Sequence, residues 1–196
     1  RKLLYLTFSM ALIAALTTYA MWAADRPVGH YLSDLRINLA VDQGTPADRG
    51  NLLGIQPDLF PTDYQSPERL RRKLGAYLHK AQEQGLLSEK TVVVLPEHVG
   101  TWLMISGEKD ELYQAGTLKE AMNWLAASNP LQFARALLRA KGASRLDDAH
   151  LRMKAKSMAK DYQALFGDLA KEFNVTLVAG TIVLAEPSVR DRELKI

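Results

Sequence analysis

The stretch Val92-Val-Val-Leu95 narrows the fold more than any other part of the chain. It is an unbroken β-branched and aliphatic run in which no polar residue alternates. A half-exposed strand alternates, whereas a run of this kind predicts a strand buried on both faces of a layered α/β domain. Pro96 follows, has no N–H for the ladder, and should end the strand. Glu97 is then placed at the carboxyl end of a central strand, the edge of an open α/β sheet where ligands bind. A carboxylate at such a position is either satisfied by backbone N–H groups of the turn or used in chemistry.

Upstream, Arg1-Lys2 precedes Leu3 to Ala24, a segment with no charged residue. At about 1.5 Å per residue it is long enough to cross a hydrocarbon layer of about 30 Å. The basic pair in front predicts a cytoplasmic N-terminus, with the rest of the chain on the other side. The competing reading is a signal peptide cut after Thr18-Tyr-Ala20, which leaves a secreted or periplasmic domain. The apolar run continues past that site through Met21 and Trp22, which favours an uncleaved anchor. Residues 25–35 read as a linker.

Arg36 to Gln43 alternates Ile37, Leu39 and Val41 and predicts the first strand. Gly44 to Gln65 reads as loop. Ser66-Pro67-Glu68 has the order of a helix start, and Leu70, Leu74, Tyr77, Leu78 and Ala81 keep helical spacing up to a stop at Gly85. The run Arg69, Arg71, Arg72, Lys73 reads as a solvated helix face rather than an anion site. Thr117-Leu-Lys-Glu120 has capping-box spacing. A helix follows it, another restarts at Asn129-Pro130, and a third covers about 147–173 with a break near Gly167. Val175 to Ala179 is a second buried strand. Gly180 allows a sharp turn, and 181–184 should continue extended. Glu186 to Ile196 is polar, with no closing element.

Charge and composition set limits. A net charge of +3 does not mark a nucleic-acid binder, and the absence of cysteine removes disulfides and thiolate metal sites. His30, His79, His98 and His150 are scattered without metal-ligand spacing, so no metal is predicted. There is no Gly-rich phosphate loop and no Gly-x-Ser-x-Gly elbow. His98, next to Glu97, and Trp102 are weak substrate-binding candidates. An ordinary loop histidine and a core aromatic are the plain alternatives.

The segment Val92-Val-Val-Leu-Pro-Glu97-His-Val-Gly-Thr-Trp-Leu resembles the first catalytic segment of the nitrilase (carbon–nitrogen hydrolase) superfamily. Leu169 to Ile182, with Val-Ala-Gly-Thr at 178–181, is similar to a later helix–strand–turn of the same family. The two occur in the family's order, across roughly 36–184. The resemblance implies an α/β fold, the N-terminal half of an α-β-β-α sandwich, over 36–196 and cut short at its C-terminal end. A transmembrane or signal helix over 1–24 precedes it, and a helical insertion covers about 107–158. It implies a Glu-Lys-Cys triad acting on a non-peptide amide or nitrile, with Glu97 as the catalytic base. No cofactor is implied. The Lys and Cys are expected beyond residue 196, so this chain alone is expected to be inactive. The implied partners are a small-molecule substrate and, through residues 3–24, a membrane, with the catalytic domain on the non-cytoplasmic side; a homo-oligomer is compatible with this. Two alternatives stay open: an inactive membrane-tethered binding or scaffold module, and an N-acyltransferase of the same superfamily. The insertion is expected near the site mouth, with its basic residues either solvated or in contact with anionic lipid.

Overall fold

The computed structural model describes residues 1–26, 29, 33–45, 49–191 and 193–196. His30 and part of the 25–35 linker lie outside them. The fold is mixed α/β, 55% helical with a few short strands, and begins with an apolar helix. That helix, α1 (Lys2–Ala24), buries none of its residues in the domain.

Three parallel strands, β1 (Leu52–Gly54), β2 (Val92–Val94) and β3 (Thr176–Val178), form one sheet in the order β1-β2-β3. Leu53, Val93 and Leu177 stand in register and share a face, while Leu52, Val92 and Thr176 point the other way. The first face is the core side. Two helices cover it, α2 (Pro67–Glu83) and α6 (Arg145–Glu172). Ser66 Oγ accepts the Arg69 amide at the start of α2, and Leu70, Leu74 and Leu78 follow on one buried stripe. Burying each of these leucines stabilises the fold by about 2 kcal/mol. Leu165, Phe166 and Leu169 of α6 complete the layer. Three α-helices, α3 (Asp110–Tyr113), α4 (Leu118–Ser128) and α5 (Pro130–Arg139), and a 3-10 helix over Thr101–Ile105 lie between β2 and α6.

Several expectations are corrected. Residues 36–43 form no strand, and Leu39 and Val41 are exposed. The first strand is β1, inside the stretch read as loop. The Val92 amide donates to the Asn51 carbonyl and the Ile55 amide to the Val94 carbonyl. Alternation is necessary for a half-buried strand but does not supply a partner; Leu52-Leu53 has one in β2. The strand at 92–95 is not covered on both faces. Val93 is fully buried, but Val92 and Val94 are half-buried, and their sheet neighbours Leu52 and Val178 are 73% and 48% exposed.

Helix α6 runs unbroken through Gly167, because the burial of Leu165, Phe166 and Leu169 holds it on both sides. Residues 181–184 are irregular and bond to the turn after β2 instead of extending β3. The C-terminal segment closes as a hairpin, β4 (Ser188–Arg190) with β5 (Glu193–Lys195). The Leu194 amide donates to Gln163 Oε1 of α6 at 2.6 Å. The basic run is not uniformly solvated either. Lys73 is fully buried, with its Nζ 3.7 Å from the buried Asp63 carboxylate and donating to the Asp34 carbonyl at 2.7 Å.

Candidate functional site

β2 ends at Val94, and Leu95 adds one more backbone bond, donating to the Val178 carbonyl. The chain then turns at Pro96-Glu97-His98. The same happens next door, where β3 ends at Val178 and Gly180 turns the chain. The two turns, about 80 residues apart in sequence, are laced together at the carboxyl edge of the sheet. The His98 amide donates to Thr181 Oγ1 at 2.7 Å, Gly100 N to Thr181 O at 3.1 Å, and Val183 N to Thr101 Oγ1 at 3.0 Å.

This lacing explains the residues at both turns. Gly180 has φ +71°, and a Cβ there would lie 2.1 Å from the Pro96 carbonyl oxygen. No other residue type reaches that conformation and that contact together. Gly100 is tight for a different reason: its Cβ would meet the Tyr162 ring at 2.5 Å. His98 itself has φ +61°, a left-handed conformation uncommon outside glycine. It is held by its own amide bond to Thr181 and by the Thr101 amide, which donates to the His98 carbonyl.

Two tyrosines fasten the turns to the helical layer. Tyr64 Oη donates to the Val99 carbonyl at 3.0 Å and Tyr162 Oη to the Gly180 carbonyl at 3.3 Å. Burial pushes both phenols upward, with the Asp63 charge adding to the effect at Tyr64, so both stay neutral donors. Sequence reasoning missed these roles, because neither a tyrosine in a stretch read as loop nor one at helical spacing carries a mark of its distant partner.

A cleft of about 460 Å³ opens beside the first turn. Glu97, His98 and Trp102 line it together with Phe60, Leu118 and Met122. The structure therefore brings the three sequence candidates to one place. Glu97 lies exposed at the rim, so the burial cost expected for it does not arise. Among the described residues no hydrogen bond or ion pair engages its carboxylate, which leaves both oxygens open to hydrogen-bond donors of a ligand. His98 is also exposed, with Nδ1 3.4 Å from Thr101 Oγ1. Trp102, 39% exposed, is a cleft wall rather than a core aromatic. The walls are otherwise apolar, as in sites that bury most of a small molecule and orient it with few polar groups.

The far wall comes from the 107–158 region: Leu112 of α3, and Leu118, Ala121 and Met122 of α4. Thr117 Oγ1 caps α4 by accepting the Glu120 amide, while the Glu120 carboxylate accepts from Gly116 rather than closing the box on Thr117. Two other histidines serve structure: His150 Nε2 faces the Met122 carbonyl at 3.0 Å and His79 packs on Phe173. Among the described residues no cluster of three or more metal-ligating side chains forms.

A second polar centre, absent from the sequence reading, holds α1 to α4. Glu108 is fully buried at its side chain. Its carboxylate accepts from Arg26 Nη1 at 2.8 Å, Asn129 Nδ2 at 2.9 Å, Ser128 Oγ at 3.2 Å and Lys154 Nζ. Lys109 Nζ donates to the Trp22 and Asp25 carbonyls and lies 4.7 Å above the Trp22 ring. Trp22 in turn packs 6.1 Å from Trp124.

Comparisons with known protein families, with curated proteins and with solved structures find no match for this chain.

Proposed function

We propose that the Glu97 cleft belongs to a carbon–nitrogen hydrolase of the nitrilase type, with Glu97 as general base toward a non-peptide amide or nitrile. The observation that carries this reading is the meeting of the two family-like segments. Val-Leu-Pro-Glu97 and Val-Ala-Gly-Thr181 end adjacent parallel strands, and their turns bind each other beside an apolar cleft that a free carboxylate overlooks. The half-open sheet face, with Leu52 and Val178 exposed, is the side on which a second sheet packs in an α-β-β-α sandwich.

In this mechanism a cysteine thiolate attacks the substrate carbon and Glu97 takes the thiol proton. With an amide, Glu97 then returns it to the departing nitrogen and afterwards activates the water that splits the thioester. With a nitrile, the proton goes to the nitrogen of a thioimidate, and a first water releases that nitrogen as ammonia before a second splits the thioester. A lysine steadies the developing negative charge. No cofactor takes part. The nucleophile is not among these 196 residues, which contain no cysteine. The protein is held at a membrane by α1, with the cleft on the non-cytoplasmic side. The packing of Trp22 against Trp124, and of Tyr19 Oη on the Ala127 carbonyl, supports an anchor that stays attached.

In the protein as its gene encodes it, Glu97→Gln should lower turnover of amide or nitrile substrates about 10²- to 10⁴-fold. Its thermal unfolding should stay unchanged, because Glu97 is exposed and unpaired. Unaltered turnover would return Glu97 to the role of a surface carboxylate.

A further inference from the structure

Helix α5 carries apolar side chains on both sides. Its inner side, with Phe133, Ala136 and Leu137, packs toward α6, and the Phe133 ring lies 4.7 Å from the His150 ring. Its outer side carries Leu131 and Leu138, 72% and 83% exposed, with Ala134 and Arg135 between them. Positions 131, 134, 135 and 138 share one helix face, and a solvent-facing stripe is ordinarily polar. The helix contains no acidic residue. Lys141 and Arg152 share Glu186, but Arg135 and Arg139 have no ion-pair partner among the described residues.

The place of α5 in the fold decides what covers this face. Tyr19 and Trp22, in the last turns of α1, touch α4 at Ala127 and Trp124. Arg26, two residues past the end of α1, binds the Ser128 carbonyl and Asn129 Oδ1, each at 2.9 Å. α5 starts at the next residue, Pro130. Its first turn is therefore level with the aromatic end of an apolar helix long enough to cross a bilayer.

We propose that α5 is a second membrane contact, lying on the bilayer that α1 crosses. Leu131 and Leu138 enter the boundary of headgroups and acyl chains, and Arg135 and Arg139 meet the phosphates of anionic lipid. The proposal rests on the reading of α1 as an anchor. It makes the attachment two-point, which fixes the tilt of the domain. The opposite end of α4 lines the Glu97 cleft, and its 11 residues span about 16 Å. The cleft is thus held within roughly that distance of the membrane exit.

The chain has no cysteine, so single spin labels can be placed cleanly. Labels at Leu12→Cys, Leu131→Cys, Leu138→Cys and Gln82→Cys are compared in the full chain, in vesicles of zwitterionic lipid with and without phosphatidylglycerol. Accessibility to oxygen, which concentrates in lipid, is read against accessibility to an aqueous nickel complex. Residue 12 should report the bilayer interior, 131 and 138 the interface, and 82, at the end of α2 away from the cleft, water. Arg135→Gln with Arg139→Gln should weaken the contact at 131 and 138 about thirtyfold in anionic vesicles, about fivefold for each residue. Residue 12 in lipid with 131 and 138 as open to nickel as 82 overturns this proposal alone. Residue 12 in water overturns the anchor reading with it. Labels at 131 and 138 shielded from both reagents assign the face to a second protein molecule and also overturn the proposal.

Discussion

Gly180 sets the geometry of the cleft without lining it. Its left-handed backbone and its approach to the Pro96 carbonyl let the second turn sit directly against the first. Gly180→Ala should cost about 1–3 kcal/mol from the backbone conformation alone, with more from the contact at Pro96. Thermal unfolding measures the total. Hydrogen exchange at the His98 and Gly100 amides should quicken, because both are tied to Thr181. An unchanged exchange rate at those two amides would mean the turns are held by something other than their mutual bonds. Tyr64 and Tyr162 act on the same loops from the helix side, so their effect on Glu97 is through position, not chemistry.

At the scale of elements, α4 is the connecting piece. One end forms the wall of the cleft and the other receives the end of α1. The junction depends on one buried carboxylate. Glu108→Ala would leave the Arg26 guanidinium and the Lys154 ammonium without their shared partner, and breaking a buried pair from one side typically costs about 3–5 kcal/mol. The expected outcome is a lower unfolding temperature together with faster trypsin cleavage after Lys109, which belongs to the same junction and is only 4% exposed when it is intact. Faster cleavage with unchanged unfolding would instead describe a junction that frays separately from the core.

For the whole molecule, the sheet is closed by helices on one side and half-open on the other, and the apolar helix α1 leaves from the α4 end. The protein should remain in the pellet on carbonate extraction. Protease added on the non-cytoplasmic side should reach the domain while the Arg1-Lys2 end stays protected. A soluble form beginning near Met21 would establish a signal peptide and remove the basis for a two-point membrane attachment.

Local chemistry was readable before any tertiary contact was known. The end of β2 ahead of Pro96, the Ser66 cap and Gly85 stop of α2, and the restart at Asn129-Pro130 each depend on residues within one or two turns of chain. The length of α1 depends only on its own uncharged run. What depends on partners was not readable there. The alternation of Ile37, Leu39 and Val41 promised a strand that finds no neighbour, while the Gly- and Asn-flanked Leu52-Leu53 found one in β2. Val92 and Val94 looked doubly buried because an apolar run records the character of a strand, not what lies over each of its faces. Lys73 and Glu108 were hidden for the same reason. A charged residue enters a core only where opposite charge and hydrogen-bond partners converge on it from distant parts of the chain, and only the folded chain makes Asp63, Arg26 and Lys154 their neighbours.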